Sequence, residues 1–305
     1  MIYHNVVIND LGYALPPEIV TSDEIELQLA PVYKRLHLPA GRLELMTGIR
    51  ERRLWPAGTP PSRAAILAGQ DVLRRTSVDV ADIGCLINCS VCRDFLEPAT
   101  ATVVHRELGL PADALVFDIS NACLGIITGM VVLAGMIETG RVRAGMLVAG
   151  ENSRALMEST IRTILHDPSI SRRSIKPLFA SLTIGSGSVA VIMSRAGLSG
   201  GETGHRLRYE ASLSATEYNH LCRGNADRGM TDQGDTLMNT DSEALLQAGV
   251  ETAWKTWCKF NAETDLTADD LDCICTHQVG VAHKRLLFDR LGLDVGKDFS
   301  NLSSM

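Results

Sequence analysis

Two side chains in this sequence have the type and setting for covalent chemistry. Cys123 lies in Val116-Phe117-Asp118-Ile119-Ser120-Asn121-Ala122-Cys123-Leu124-Gly125. Ala114 to Asp118 is short and apolar and reads as a buried strand. Leu124 to Glu138, small or aliphatic without proline and closed by Gly140, reads as a helix. A thiol at that junction meets backbone N–H groups and the positive end of the helix dipole, which favour thiolate. Thiolate is the nucleophilic form, so the position suits a covalent catalyst; the alternative is a buried structural cysteine. His277 ends a second apolar run, Asp272-Cys273-Ile274-Cys275-Thr276-His277-Gln278, ahead of Gly280 and a helical stretch. A histidine at a strand end faces the crevice where α/β folds place their chemistry. It could accept a proton there or donate to an oxyanion formed at Cys123. Taken alone, it is equally an ordinary strand-end histidine.

Two other spacings point away from metals. Cys85-x3-Cys89-x2-Cys92 has the spacing of iron–sulfur enzymes that cleave S-adenosylmethionine. On a strand, however, Cys85 and Cys89 stand about 13 Å apart, and Cys92 faces the other way. His277 and His283 have no carboxylate motif between them and do not form a helical zinc site.

The elements that must position these residues alternate. Val6 to Leu11, Ile83 to Val91, Ala114 to Asp118, Met146 to Ala149 and Gly187 to Met193 read as strands, and Pro61 to Thr76 and Leu124 to Glu138 as helices. Such alternation predicts an α/β fold with a largely buried sheet. A polar, glycine-rich linker, Ser194 to Gly204, precedes a second set. That set holds a strand near Leu207 to Leu213, a long helix near Ser242 to Phe260, a strand near Asp272 to Thr276 and a helix from Val281 to Leu291. Residues 219–240 read as a polar excursion.

Composition narrows the classes. The 305 residues are 45% hydrophobic, which suits one large or two medium globular domains. Eight irregularly spaced cysteines and no leader sequence point to a reducing, cytoplasmic setting. No apolar run is long enough to span a membrane. A net charge of −7 argues against nucleic acid as a partner. Arg50-Glu51-Arg52-Arg53 reads as a solvated basic face.

The segment Asp118 to Gly125 resembles the nucleophile segment of ketoacyl-ACP synthase III enzymes of the thiolase superfamily. Thr47-Gly48-Ile49-Arg50-Glu51-Arg52-Arg53, Pro98-Ala99-Thr100-Ala101 and the pair His277-Gln278 match in the same order along essentially the whole chain. The resemblance is strongest to the OleA branch, which joins two fatty acyl chains head to head in olefin biosynthesis. Arg53-Leu54-Trp55, Ser90 to Pro98, Ser214-Ala215-Thr216-Glu217 and Leu221 to Arg228 carry that part of it.

The resemblance implies a five-layer αβαβα thiolase-like sandwich of two similar halves, 1–195 and 196–305, working as a homodimer. Cys123 would take an acyl group from a long-chain acyl-CoA, with its own N–H in the oxyanion hole, and His277 would assist condensation. Glu97 matches the glutamate that reaches into the partner protomer's site and removes the α-proton of the second acyl thioester. An unactivated acyl chain needs such a base, whereas a malonyl donor makes its carbanion by losing carbon dioxide. By itself, an acid before proline at a helix start is also simply favourable to the helix dipole. No metal or redox cofactor is implied.

Two features depart from the family. The aromatic–arginine clamp for the CoA adenine is not recognisable, since Arg42 and Met46 occupy the nearby positions. The Gly-Asn motif is expected about thirty residues after His277, at position 307, so the second half reads as incomplete at Met305. Three readings follow: head-to-head condensation of two acyl-CoAs, extension of an acyl primer with malonyl-ACP, or a catalytically silent acyl-binding subunit. A complex with other pathway enzymes fits the first.

Overall fold

The structure is a computed structural model that describes residues 1–198, 204–224 and 237–303. Parts of the linker at 194–204, of the excursion at 219–240 and of the motif ending at Arg228, together with Met305, lie outside the described residues. Two compact units interleave along the chain. The first comprises Met1–Glu18, Leu54–Asn152 and Ser186–Glu210; the second comprises Ile19–Arg53, Ser153–Gly185 and Ala211–Met305.

The first unit is built on β1 (Val6–Ala14), α1 (Pro61–Leu73), β2 (Ile83–Asn88), α2 (Thr100–Leu108) and β3 (Leu115–Asp118). It continues with α3 (Gly125–Glu138), β4 (Ala144–Glu151), β5 (Gly187–Arg195) and the short β6 (His205–Arg206). The sheet order is β3-β2-β4-β5-β1-β6. β2 runs parallel to β3 and β4, whereas β5 is antiparallel to β4 and β1. β2 and β4 are buried almost throughout, as their unbroken apolar sequences require of central parallel strands. Side chains alternate between two cores. Leu86, Met146 and Ile192 pack with Ala65, Val72 and Val104 of α1 and α2. Cys85, Ile87, Leu147 and Met193 pack with Leu133 and Ile137 of α3 on the other face. Cys85 and Cys89 are thus core residues, with thiols pushed up by burial to about 11 and about 12.

The second unit is mostly helical. Its helices are Ser22–Gln28, Ala30–Arg35, Arg42–Thr47, Arg154–His166, Lys176–Thr183, Ser242–Thr264 and Val281–Leu291. The helix at Ser22 opens with a reciprocal Thr21–Glu24 capping box. Arg52 corrects the expectation of a solvated basic face. It is wholly buried and donates to the Val20 carbonyl at 3.1 Å and to Ser22 Oγ at 2.9 Å. Burial pulls its pKa down to about 10. None of the described helices is long and apolar enough to cross a membrane.

Two expected strands are short of a full ladder. From Leu207 onward the chain makes single bonds to the first strand's neighbourhood, such as Leu207 N–H to the Val6 carbonyl at 3.1 Å and the bridge of Tyr209 to Ile2. Among the described residues, the stretch Asp272 to Thr276 pairs through Ile274 alone, which forms a parallel bridge with Asp298. Strand character follows partners as well as propensity.

Candidate active site

In the first unit, β2 and β3 set the position of Cys123. β3 pairs Asp118 beside Asn88, and Ile119 N–H continues the ladder to the Asn88 carbonyl at 2.8 Å. The chain then turns. Ala122 takes φ +44, in the left-handed region that costs a residue with a Cβ, and Ala122–Leu124 form one turn of 3₁₀ helix before α3. Cys123 therefore stands exposed at the mouth of a helix, one turn earlier than a simple helix start.

The position of α3 is fixed by two glycines. A Cβ on Gly125 would lie 2.2 Å from the Cys89 carbonyl oxygen, and one on Gly129 would lie 2.5 Å from Cys89 Sγ. Asn121 Nδ2 donates to Thr128 Oγ1 at 2.8 Å and ties the turn to the helix. The glycine following Leu124 in the sequence is thus a contact requirement of helix against strand end.

Glu97 belongs to the same unit. It is exposed, is joined to Pro98 by a cis peptide and has exposed Phe95 and Leu96 as neighbours. The loop is held at defined points. Asp94 accepts from Ser62 N–H at 2.9 Å, and its own N–H donates to Thr100 Oγ1 at 3.1 Å. Asp118 accepts from the N–H groups of Thr100 and Ala101, both at 2.9 Å. The strand that leads to Cys123 and the helix that follows Glu97 therefore share one carboxylate.

His277 lies in the second unit. It is an exposed residue whose ring is nonetheless partly desolvated, which lowers its pKa. The His283 ring meets it edge-on, with centroids 6.2 Å apart, and is lowered by desolvation and then by His277. Gln278 locks the turn: Nε2 donates to the Phe299 carbonyl at 3.2 Å, and Oε1 accepts from Asn301 N–H at 3.0 Å. The Thr47-Gly48-Ile49 segment packs here too, since a Cβ on Gly48, at φ +76, would strike Val281 Cγ2 at 2.5 Å. Two segments far apart in the sequence are thus one local structure.

Sequence reasoning missed three further groups. Glu151, at the end of β4, accepts from Val91 N–H at 2.6 Å and Cys92 N–H at 3.2 Å. An acid closing an otherwise apolar strand was its signal. Glu26 is buried and accepts from the N–H groups of Gly41 and Leu43, each at 2.6 Å, and from Tyr33 Oη at 3.2 Å. It thereby holds the backbone on either side of Arg42. Arg42 lines a cavity of about 370 Å³ together with His37, Arg172, Arg173, Lys176 and Phe179. Arg172 is partly committed, donating to the Leu36 and His37 carbonyls. The close run of Arg172, Arg173 and Lys176 was the signal for this cavity. Among the described residues, no cluster of three or more histidine, cysteine or carboxylate side chains is arranged to hold a metal ion.

The 3-oxoacyl-[acyl-carrier-protein] synthase III family profile matches residues 117–203, the stretch that includes Cys123. The chain is 38% identical over 304 residues to the acyl-CoA:acyl-CoA alkyltransferase of Shewanella oneidensis, covering 98% of this chain and 85% of that protein. The crystal structure of cerulenin-bound Xanthomonas campestris OleA superposes with a TM-score of 0.91 at 34% identity, over 99% of this chain and 85% of that one. A cysteine-to-serine variant of the same OleA, solved with lauric acid and lauroyl-CoA bound, gives 0.88 at 34% identity over 99% and 86%. The chain belongs to the OleA family of acyl-CoA:acyl-CoA alkyltransferases, 3-oxoacyl-ACP synthase III-like acyltransferases with the thiolase α/β fold.

Proposed function

We propose that this protein condenses two long-chain acyl-CoAs head to head without decarboxylation. Cys123 Sγ attacks the first thioester carbonyl, and the CoA thiolate leaves. Glu97 of a partner protomer takes the α-proton of the second acyl-CoA, and the resulting enolate carbon attacks the acyl–cysteine carbonyl. The tetrahedral intermediate collapses with release of the Cys123 thiolate, giving a 2-alkyl-3-ketoacyl-CoA. The N–H of Cys123 and the His277 imidazole stabilise the oxyanions. The observation that carries the reading is the exposed cysteine at the start of α3, within the profile-matched segment of a chain so similar to an acyl-CoA:acyl-CoA alkyltransferase.

Other features support its parts. The cavity around Arg42, Arg173 and Lys176 offers planar and point cations suited to the phosphates of CoA. Guanidinium groups replace the aromatic clamp that the sequence lacks. β3 is the outer strand of its sheet, and α3 exposes Ile127 and Val132, an edge and an apolar face suited to a second copy in a homodimer. Exposed Phe95 and Leu96 beside Glu97 fit a loop that enters a partner's site. Under this reading the fold comprises two similar halves, 1–195 and 196–305, and the protein acts in the cytoplasm on a CoA-linked pool, in a complex with other pathway enzymes.

The test is purified protein given one long-chain acyl-CoA as sole substrate. Product is hydrolysed, heated to lose carbon dioxide and extracted for the symmetric ketone. Ketone that vanishes with Cys123→Ala supports the proposal. An acyl adduct at Cys123 without symmetric ketone, and a methyl ketone when a malonyl thioester is added, replaces it with decarboxylative extension. The absence of both products identifies a silent acyl-binding subunit.

A further inference from the structure

β4 is buried from Ala144 through Gly150 and ends on a carboxylate, Glu151, that lies largely enclosed beneath the loop following β2. Its two oxygens divide between two adjacent donors: Oε1 takes Val91 N–H at 2.6 Å and Oε2 takes Cys92 N–H at 3.2 Å. Its backbone carbonyl accepts from Trp55 Nε1 at 3.1 Å, so the strand end is itself braced. Cys92 completes the contact. Burial, followed by the charge of Glu151, pushes its thiol up to about 12, and the protonated sulfur donates to the Asn152 carbonyl at 3.6 Å.

This clamp is the first of three carboxylate anchors along one loop. Glu151 holds Val91 and Cys92, Asp94 holds Ser62 N–H, and Asp118 holds Thr100 and Ala101. Between the second and third anchors the chain is exposed and carries Phe95, Leu96 and Glu97. We propose that Glu151 is a positioning residue for the reaction: by clamping the Val91 and Cys92 amides it fixes the root of the loop that presents Glu97. The inference rests on the reading of Glu97 as the α-proton base. Two adjacent backbone donors converge on this one enclosed carboxylate at the end of a strand, which fixes the first residues of the loop against β4. Its use lies in the geometry it imposes, and misplacing a catalytic group by about 1 Å can cost on the order of a hundredfold in rate.

The experiment separates the two half-reactions. Acylation of Cys123 is followed as the first-turnover release of CoA thiol, and condensation as ketone per acylated enzyme. Glu151→Gln keeps the side-chain shape but turns an amide NH2 toward one of the two N–H donors. It is expected to leave acylation within about twofold and to lower condensation on the order of tenfold or more. Glu151→Asp, which keeps the charge, should restore part of that loss. Combined with Glu97→Gln, Glu151→Gln should add nothing, since it acts through the same group. Equal losses in both half-reactions, unchanged condensation, or a loss that multiplies with that of Glu97→Gln would each overturn the positioning role. Failure of the base reading looks different: Glu97→Gln alone would then condense normally.

Discussion

Asp118 caps Thr100. Its carboxylate accepts from the N–H groups of Thr100 and Ala101, both at 2.9 Å, at the first turn of α2, five residues before Cys123. Ala99, the residue at the cap position, offers no side-chain acceptor, so a residue from a neighbouring strand supplies it. A negative charge there also meets the positive end of the helix dipole. One carboxylate thereby couples the strand that leads to Cys123 to the segment that follows Glu97.

Asp118→Asn should therefore cost more than an ordinary surface change. The amide retains one acceptor and turns its NH2 toward the second N–H. The expected loss is about 1–3 kcal/mol in denaturant unfolding, with condensation reduced as well. A midpoint equal to that of the parent protein would show that the cap is dispensable.

Gly125→Ala tests the contact that aims Cys123. A methyl group there would lie 2.2 Å from the Cys89 carbonyl, which is backbone and cannot swing aside. α3 must shift, and overpacking of this kind costs about 1–3 kcal/mol. The readout is acyl adduct at Cys123 by mass spectrometry, expected to fall sharply in protein that remains folded by circular dichroism.

How far these features were legible differs from place to place. The turn at Cys123, the strands β1 to β5 and the helix closed at Gly140 follow from apolar runs and a glycine stop, which are local signals. The expected strand ends at Asn88; after a last bond from Cys89 N–H to the Val148 carbonyl at 2.7 Å, Ser90 and Val91 leave the sheet. There α3 presses Gly125 onto Cys89, and Glu151 draws Val91 and Cys92 aside. Arg52 read as solvated because its neighbours are charged, yet Val20 and Ser22, thirty residues earlier, receive it. The contacts made by Glu151, Asp118 and Glu26 were hidden for the same reason. Each acts on backbone N–H groups distant in sequence, and no side-chain pattern records a backbone partner. The candidate residues Cys123, His277 and Glu97 came from local position and family resemblance together.

The histidine pair predicts a pH dependence of stability. His277 and His283 both have pKa values below the ordinary 6.5, because desolvation disfavours the charged ring, and His283 also feels His277. Between the lowered values and 6.5 the unfolded chain binds more protons than the folded one, so stability there rises with pH. The folded state is favoured in full above about pH 6.5 and loses stability as the pH falls below it. Urea midpoints taken downward from neutral pH should show this slope, and His277→Gln with His283→Gln should flatten it. An unchanged slope in the double variant would place the dependence elsewhere.

The cavity around Arg42 separates two kinds of substrate affinity. If Arg173 and Lys176 meet the phosphates of CoA, they act far from the reacting carbonyl and bind ground state and transition state alike. Removing them should then raise KM and leave kcat nearly unchanged. Arg173→Ala and Lys176→Ala are each expected to raise KM for a long-chain acyl-CoA by roughly threefold to tenfold, in line with charge-assisted bonds at a partly exposed site. Added salt should shrink the difference from the parent protein, because exposed charges are screened. The control is the same acyl chain on N-acetylcysteamine, a thioester with no phosphate. Both variants should handle it like the parent protein. A KM increase of the same size with that short thioester would assign these cations to the protein's own architecture, and an unchanged KM with both substrates would leave the cavity unused by CoA.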